Sequence, residues 1–341
     1  MGHIRLAAKA VRTVVVTGGA DGSGAGAALW EGGAMEITGL ALVDGAELRR
    51  RVSMARAVAA LTEALRAGLD PEGDVPRAAV EVPAGQLLLM PSFAGRHAGV
   101  KIAGVAPANP ARGLPRIVAT YLLLEAATLR PVALLDGSAL TLLRTPAVSA
   151  VAVRRLAVPD ARRLVVFGAG PQAWGHVEAL RVVRPLDSVG VVARTPGRAA
   201  ELVRRCRDAG LAAEAVTAEA VADADVVACC TSAREPLFDG RAVPAHAAVV
   251  AMGSHEPTAR EVDTALVRRA TVVVEARAAA FREAGDLCVP LAAGEVTREA
   301  VAGNLAELVR GEVALAPDRP RLFKGVGMSW QDLVVAAEAA P

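Results

Sequence analysis

Two groups of residues in this sequence have types and spacing that can do chemistry. The first is the stretch Arg163 to Leu180, R-L-V-V-F-G-A-G-P-Q-A-W-G-H-V-E-A-L. Leu164 to Phe167 is a short apolar run suited to a buried parallel strand, and Trp174 to Leu180 continues at helical spacing. Between them Gly168-Ala169-Gly170-Pro171-Gln172-Ala173 makes a tight turn. Strand, glycine turn and helix in that order build a site for the pyrophosphate of a dinucleotide. Gly168 permits the turn, Gly170 lets the backbone approach the phosphates, and the small Ala173 allows close helix–strand packing. The free N–H groups of the helix start then face the anion. The second group is a pair of cations in apolar surroundings, Lys101 in the run Val100 to Ala106 and Arg144 in the run Leu140 to Leu156. Buried cations need anionic partners, and a guanidinium grips a carboxylate in a fork. The plainer readings are a strand lysine that reaches solvent and an arginine in an interface ion pair.

The glycine turn has the context a dinucleotide fold needs. Ser188 to Val192 is expected as the next strand, Gly197 to Ala209 as a helix, and Asp225 to Thr231 as a later strand. An enzyme of NAD places Asp or Glu at the end of the second strand to hold the ribose 2′-hydroxyl. This chain reads Val192-Ala193-Arg194-Thr195-Pro196-Gly197-Arg198 there, without an acid. Arg194, Thr195 and Arg198 suit a 2′-phosphate, so NADPH is the expected cofactor rather than NADH.

The elements that must position these residues follow from the rest of the chain. Its 341 residues allow two domains, each with a core. With 53% hydrophobic and 22% charged residues and a net charge of +2, no basic or acidic block points to nucleic acid or an anionic membrane. No run is long enough to span a bilayer, and no metal-ligand spacing links Cys206, Cys229, Cys230 and Cys288. A cytoplasmic protein with free thiols is expected. Three lysines, Lys9, Lys101 and Lys324, stand against 35 arginines, which draws attention to a lysine kept in an apolar strand.

Residues 1–34 contain a second glycine turn, Thr17-Gly18-Gly19-Ala20-Asp21-Gly22-Ser23-Gly24, of the type found in short-chain dehydrogenases. Those enzymes also need Tyr with Lys four residues later; the sole tyrosine, Tyr121, is followed at that spacing by Glu125. The segment reads instead as an extension, disordered or loosely packed. From Met35 the organisation is a strand at Leu40 to Val43, then a helix to about Gly68 opened by the capping box Asp44-Gly45-Ala46-Glu47. Strands follow near Ala79 to Val82, Leu87 to Met90, Val100 to Ala106, Ile117 to Leu124 and Val132 to Leu135, and then the Leu140 to Leu156 helix. A mixed sheet precedes a parallel one.

Four motifs in order resemble the ornithine cyclodeaminase/mu-crystallin family: Val100-Lys101 with Pro107 to Pro115, Ala133 to Ala150, Gly168 to Ala173, and Phe323-Lys324-Gly325-Val326-Gly327-Met328 with Gln331-Asp332-Leu333. The resemblance spans about residues 36 to 336. It implies an α/β protein of two domains: a Rossmann-type dinucleotide domain over 158–302, and a mixed-sheet substrate-binding and dimerisation domain over 35–157 and 303–341. It implies a substrate carboxylate held by Arg77, Lys101 and Arg144, with Val326 also at the substrate. Cofactor contacts are expected from Thr231, Met252, Gly253 and Arg144 besides the glycine turn. The run Ala251-Met252-Gly253-Ser254-His255 puts His255 where cyclodeaminases have aspartate, and the pattern through Arg260-Glu261 resembles the branch of ketimine reductases and certain alanine dehydrogenases. Gly325 replaces a frequent Ser, Arg116 a frequent Thr, and Thr128-Leu129-Arg130-Pro131 lacks the usual turn glycine.

The expectation is a homodimeric NADPH-dependent reductase of a 2-imino acid, with His255 delivering a proton, ordering water or only lining the pocket. An amino-acid dehydrogenase and a true cyclodeaminase are the same-class alternatives. A protein that binds NADPH and a small carboxylate without turnover is the alternative of another class.

Overall fold

The computed structural model describes residues 40–341; the expected extension and its glycine turn lie outside them. The first sheet has six strands: β1 (Ala41–Val43), β2 (Ala78–Val82), β3 (Gly85–Ala94), β4 (His97–Val105), β5 (Ile117–Glu125) and β6 (Pro131–Asp136), in the order β1-β6-β5-β4-β3-β2. Neighbours from β2 to β6 are antiparallel, and β1 joins β6 in parallel. The period of two divides its faces cleanly. Met90, Lys101, Tyr121 and Leu135 stand in one row of the inner face and are buried, while Val80, Leu87, Ile102 and Val118 on the other face are exposed. At the β5–β6 turn Leu129 takes φ 56°, the left-handed conformation that a glycine would adopt without strain.

The second sheet has eight parallel strands: β7 (Arg163–Phe167), β8 (Ser188–Val192), β9 (Ala212–Ala215), β10 (Val226–Cys229), β11 (Ala248–Ala251), β12 (Thr271–Val274), β13 (Val301–Asn304) and β14 (Arg321–Lys324). Their order is β13-β12-β14-β11-β10-β7-β8-β9. This corrects the expected division. Residues from 303 on were assigned to the first domain, yet β14 lies in the middle of the dinucleotide sheet, paired with β11 and β12. All four of its residues are buried, as a central parallel strand requires. The chain returns to the first sheet with the C-terminal helix, Ser329–Glu338, which packs on β3, β4 and β5.

The helices hold two further differences. The single helix expected after Asp44 is broken into α1 (Gly45–Arg51) and α2 (Met54–Arg66), because Ser53 caps a new start by accepting from Arg56 N–H at 3.2 Å. Asp44 does cap α1, but Glu47 pairs with Arg50 and Arg51 instead of reaching back. Helix α3 (Gly137–Leu156) starts three residues before the expected Leu140, where Asp136 accepts from Ser138 and Ala139 N–H at 2.9 Å. Arg144 therefore stands two turns inside the helix. Helix α4 (Pro171–Val183) packs against α3. Among the described residues no helix is long and apolar enough to cross a membrane.

Candidate active site

The cofactor end is built on β7, the glycine turn and α4. Gly168 has φ +104°, and a Cβ there would fall 2.5 Å from the carbonyl oxygen of Cys230 at the end of β10. Gly170 is the N-cap of α4, without a side-chain cap, and a Cβ there would meet nothing within 4 Å. An open, uncapped helix start fits a pyrophosphate. Pro171 opens the helix and Ala173 is fully buried against the strand. Gln172 turns toward α3, its Nε2 3.5 Å from the carbonyl oxygen of Thr141. Arg194, Thr195 and Arg198 are exposed after β8, and neither arginine is paired with a carboxylate among the described residues. These residues fit a phosphorylated ribose.

The substrate end collects the three expected cations and adds partners that could not be named from sequence. Lys101, on β4, donates to Asp332 Oδ2 at 2.7 Å, and Arg144, on α3, donates through Nε to Oδ1 of the same carboxylate at 3.1 Å. Arg144 Nη1 also donates to Gln331 Oε1 at 2.6 Å. Asp332 and Gln331 sit on the C-terminal helix, whose first N–H groups are capped by Asp74: its Oδ2 accepts from Ser329 at 2.8 Å and Trp330 at 3.2 Å. Arg77 donates to the carbonyl oxygens of Val326 and Gly327 and lies 2.9 Å from Glu283 Oε2. Lys101 and Arg144 thus share Asp332, Arg77 shares Glu283 with Arg282, and the buried Glu275 adds a third carboxylate to the frame. Burial pushes the Lys101 pKa down to about 8; Asp332 opposes this, while Arg144 and Arg77 add to it.

Val326, expected at the substrate, is buried, and its backbone joins the frame: its N–H and that of Gly327 donate to Glu275 Oε2 at 2.8 Å. A cleft of about 860 Å³ opens beside Arg77. Its sheet wall carries Ala79, Leu88, Val105 and Ile117, and its other wall is the loop Gly253 to Ala259 with His255.

An uncapped helix start that fits a pyrophosphate, and an arginine that opens onto a cleft with an apolar wall, are features suited to a nucleotide and a small acid. Similarity to known proteins agrees. The profile described as ornithine cyclodeaminase/mu-crystallin family matches residues 42–339. The chain belongs to that family. It is 33% identical over 258 residues to the Delta(1)-pyrroline-2-carboxylate reductase of Colwellia psychrerythraea, covering 73% of this chain and 81% of that protein. Its fold matches the Thermococcus litoralis Delta(1)-pyrroline-2-carboxylate reductase solved with NADH and L-proline at TM-score 0.83 and 29% identity, over 88% of this chain and 96% of the other. It matches an archaeal alanine dehydrogenase dimer with bound NAD at TM-score 0.83 and 27% identity, over 88% and 94%.

Within this family fold the strand ends beside the glycine turn carry a further buried network. Thr231 and Gly253, expected at the cofactor, give their N–H groups to Glu261, as does the Thr231 hydroxyl. A Cβ on Gly253 would come 2.4 Å from Glu261 Oε1, so only glycine admits this carboxylate. Burial raises the Glu261 pKa, with Lys324 opposing. Asp286 Oδ1 accepts from the N–H groups of Glu261 and Val262 at 2.6 and 2.8 Å. Lys324 donates to the carbonyl oxygen of Ser254 at 2.7 Å and lies 3.0 Å from Asp286 Oδ2, an ion pair without hydrogen-bond alignment. Met252 packs its sulfur over Gly325, where a Cβ would come 2.4 Å from it.

His255 stands next to this frame on the cleft wall. Desolvation by the surrounding walls, and then Arg77, hold its pKa below the usual imidazole value. His176, given no function from sequence, ties the two halves together. It donates through Nδ1 to the Gln172 carbonyl at 2.8 Å, which leaves Nε2 to accept from Ser149 on α3 at 2.9 Å. The residues that sequence reasoning missed are the acids, Asp332, Glu283, Glu261 and Asp286. For Asp332 a signal was present, since it interrupts the apolar face of a C-terminal helix.

Proposed function

We propose that this chain is an NADPH-dependent reductase of a cyclic 2-imino acid, producing the amino acid. The observation that carries this reading is Arg77 opening onto a cleft with an apolar wall, with Lys101 and Arg144 gathered on Asp332 behind it. The cations hold the carboxylate, and Ala79, Leu88, Val105 and Ile117 take the hydrocarbon ring. The name shared by the Colwellia and Thermococcus relatives supports the same substrate class. A reduced nicotinamide, when bound, supplies the hydride. The protein supplies proximity, by fixing the carboxylate between the glycine turn and the sheet. Desolvation and Arg77 disfavour the charged imidazole of His255, which suits it to accept a hydrogen bond from an iminium N–H rather than to donate a proton. Arg194, Thr195 and Arg198 select the 2′-phosphate of NADPH.

The deciding assay follows NADPH oxidation with a five- or six-membered cyclic 2-imino acid, beside ornithine with NAD followed for proline and ammonia. Fast imine reduction without ornithine turnover is expected. Robust proline formation from ornithine would make the protein a cyclodeaminase; binding without turnover of any imine would make it a carrier.

The exposed apolar face of the first sheet, with Val80, Leu87, Ile102 and Val118, supports a homodimer that covers it. The alanine dehydrogenase relative is described as a dimer. Sedimentation should give a dimer at micromolar concentration and a monomer for Ile102→Asp. A monomeric unmodified protein refutes this assembly.

A further inference from the structure

At the carboxyl ends of β10 and β11, three donors close on one fully buried carboxylate. Glu261 Oε1 accepts from Thr231 N–H at 2.8 Å and from the Thr231 hydroxyl at 2.7 Å, and Oε2 accepts from Gly253 N–H at 2.7 Å. The same hydroxyl accepts from Ala233 N–H at 3.1 Å. Each carboxylate oxygen thus accepts from a backbone N–H that can only donate, so the arrangement fits the ionised form. Asp286 adds a second carboxylate, and among the described residues Lys324 is the one cation in ion-pair contact with either. Two carboxylates and one ammonium leave a surplus negative charge, with all three side chains removed from solvent.

An uncompensated buried charge is costly to a fold, and a neutral hydrogen-bond acceptor would tie the same two loops. The charge therefore calls for a reason beyond packing, and its position provides one. Thr231 lies against the glycine turn, with its Cγ2 3.6 Å from where a Cβ on Gly168 would be. Gly253, its other partner, lines the cleft. The charge thus sits under the strand ends where a parallel dinucleotide sheet receives its ligand. The oxidised nicotinamide ring carries a positive charge that the reduced ring lacks.

We propose that Glu261 is a positioning residue that also acts electrostatically, setting the loops of Thr231 and Gly253 while its charge favours the oxidised over the reduced cofactor. By stabilising the cationic form it makes the reduced cofactor a stronger hydride donor to the imine. This inference rests on the nicotinamide reading of the site, but not on the choice of substrate or of 2′-phosphate.

The test is equilibrium binding of NADP+ and of NADPH, by calorimetry or fluorescence, to the unmodified protein and to Glu261→Gln. Removing one buried charge beneath the strand ends is expected to raise the ratio of the NADP+ to the NADPH dissociation constant about tenfold. A brace without an electrostatic role would weaken both forms alike, so an unchanged ratio overturns the proposal. The same pair of titrations with NAD+ and NADH keeps the ratio readable should the 2′-phosphate preference fail. Asp286→Asn, which retains an oxygen for the two backbone donors, should move the ratio the same way and stands in if Glu261→Gln does not fold. Lys324→Met should move it the opposite way. A shift of either against its expected sign also overturns the proposal.

Discussion

The two ends of the cleft use the same materials to different effect. On the sheet side Arg77, Lys101 and Arg144 are each ion-paired, with Asp332 shared by two of them and Glu283 shared with Arg282. At the strand ends Glu261 and Asp286 face Lys324, leaving negative charge in surplus. A buried pair that balances is neutral scaffolding, often replaceable by apolar residues. A buried set that does not balance awaits a ligand of the missing sign. On the proposed function the sheet side receives a carboxylate, and on the further proposal the strand ends receive a ring that becomes cationic.

The largest effect should come from breaking the sheet side. Arg144→Ala removes a carboxylate ligand and leaves Asp332 with Lys101 alone. Loss of a partner from a buried ion pair costs about 3–5 kcal/mol in stability. A fall of about a thousandfold or more in kcat/KM for the imino acid is expected as well. Thermal melts and steady-state rates read both, and a variant with near-normal kcat/KM would remove Arg144 from the site.

A smaller effect sharpens the comparison without mutation. Lys101, with a pKa lowered to about 8, is a cation below that pH, and its charge is lost as pH rises through it. Since kcat/KM reports the free enzyme, it should decline above about pH 8, by up to about tenfold per pH unit. The decline should persist in His255→Gln, because the imidazole titrates on the acid side. A profile flat to pH 10 would mean that the Lys101 charge is not used.

The smallest effect lies at the far end of the cofactor. Arg194→Ala should erase most of an NADPH preference of about tenfold, the scale of one charge-assisted contact. Equal dissociation constants for NADPH and NADH in the unmodified protein would discard the role given to Arg194, Thr195 and Arg198.

These regions also differ in how far they were legible beforehand. The glycine turn could be read because strand, turn and helix are contiguous, so Leu164 to Leu180 carries its own geometry. The approximate places of β3 to β5 were equally local, but which residues share the face with Lys101 came from the strand register. Lys101 and Arg144 stood out because a charge in an apolar run signals a buried partner, but the partner's identity did not follow. Asp332 lies 231 residues from Lys101 and 188 from Arg144, and Glu261 lies 30 from Thr231. Spacing carries no information at such separations. Only the insertion of β14 between β11 and β12, followed by return of the C-terminal helix to the first sheet, sets Lys324 beside Asp286 and Asp332 between Lys101 and Arg144. Sequence alone singled out Lys101 and Arg144 as candidates for burial, since a charge in an apolar run is a local pattern. Tertiary structure decided which acids meet them, because charge balance is a property of what is brought together in space.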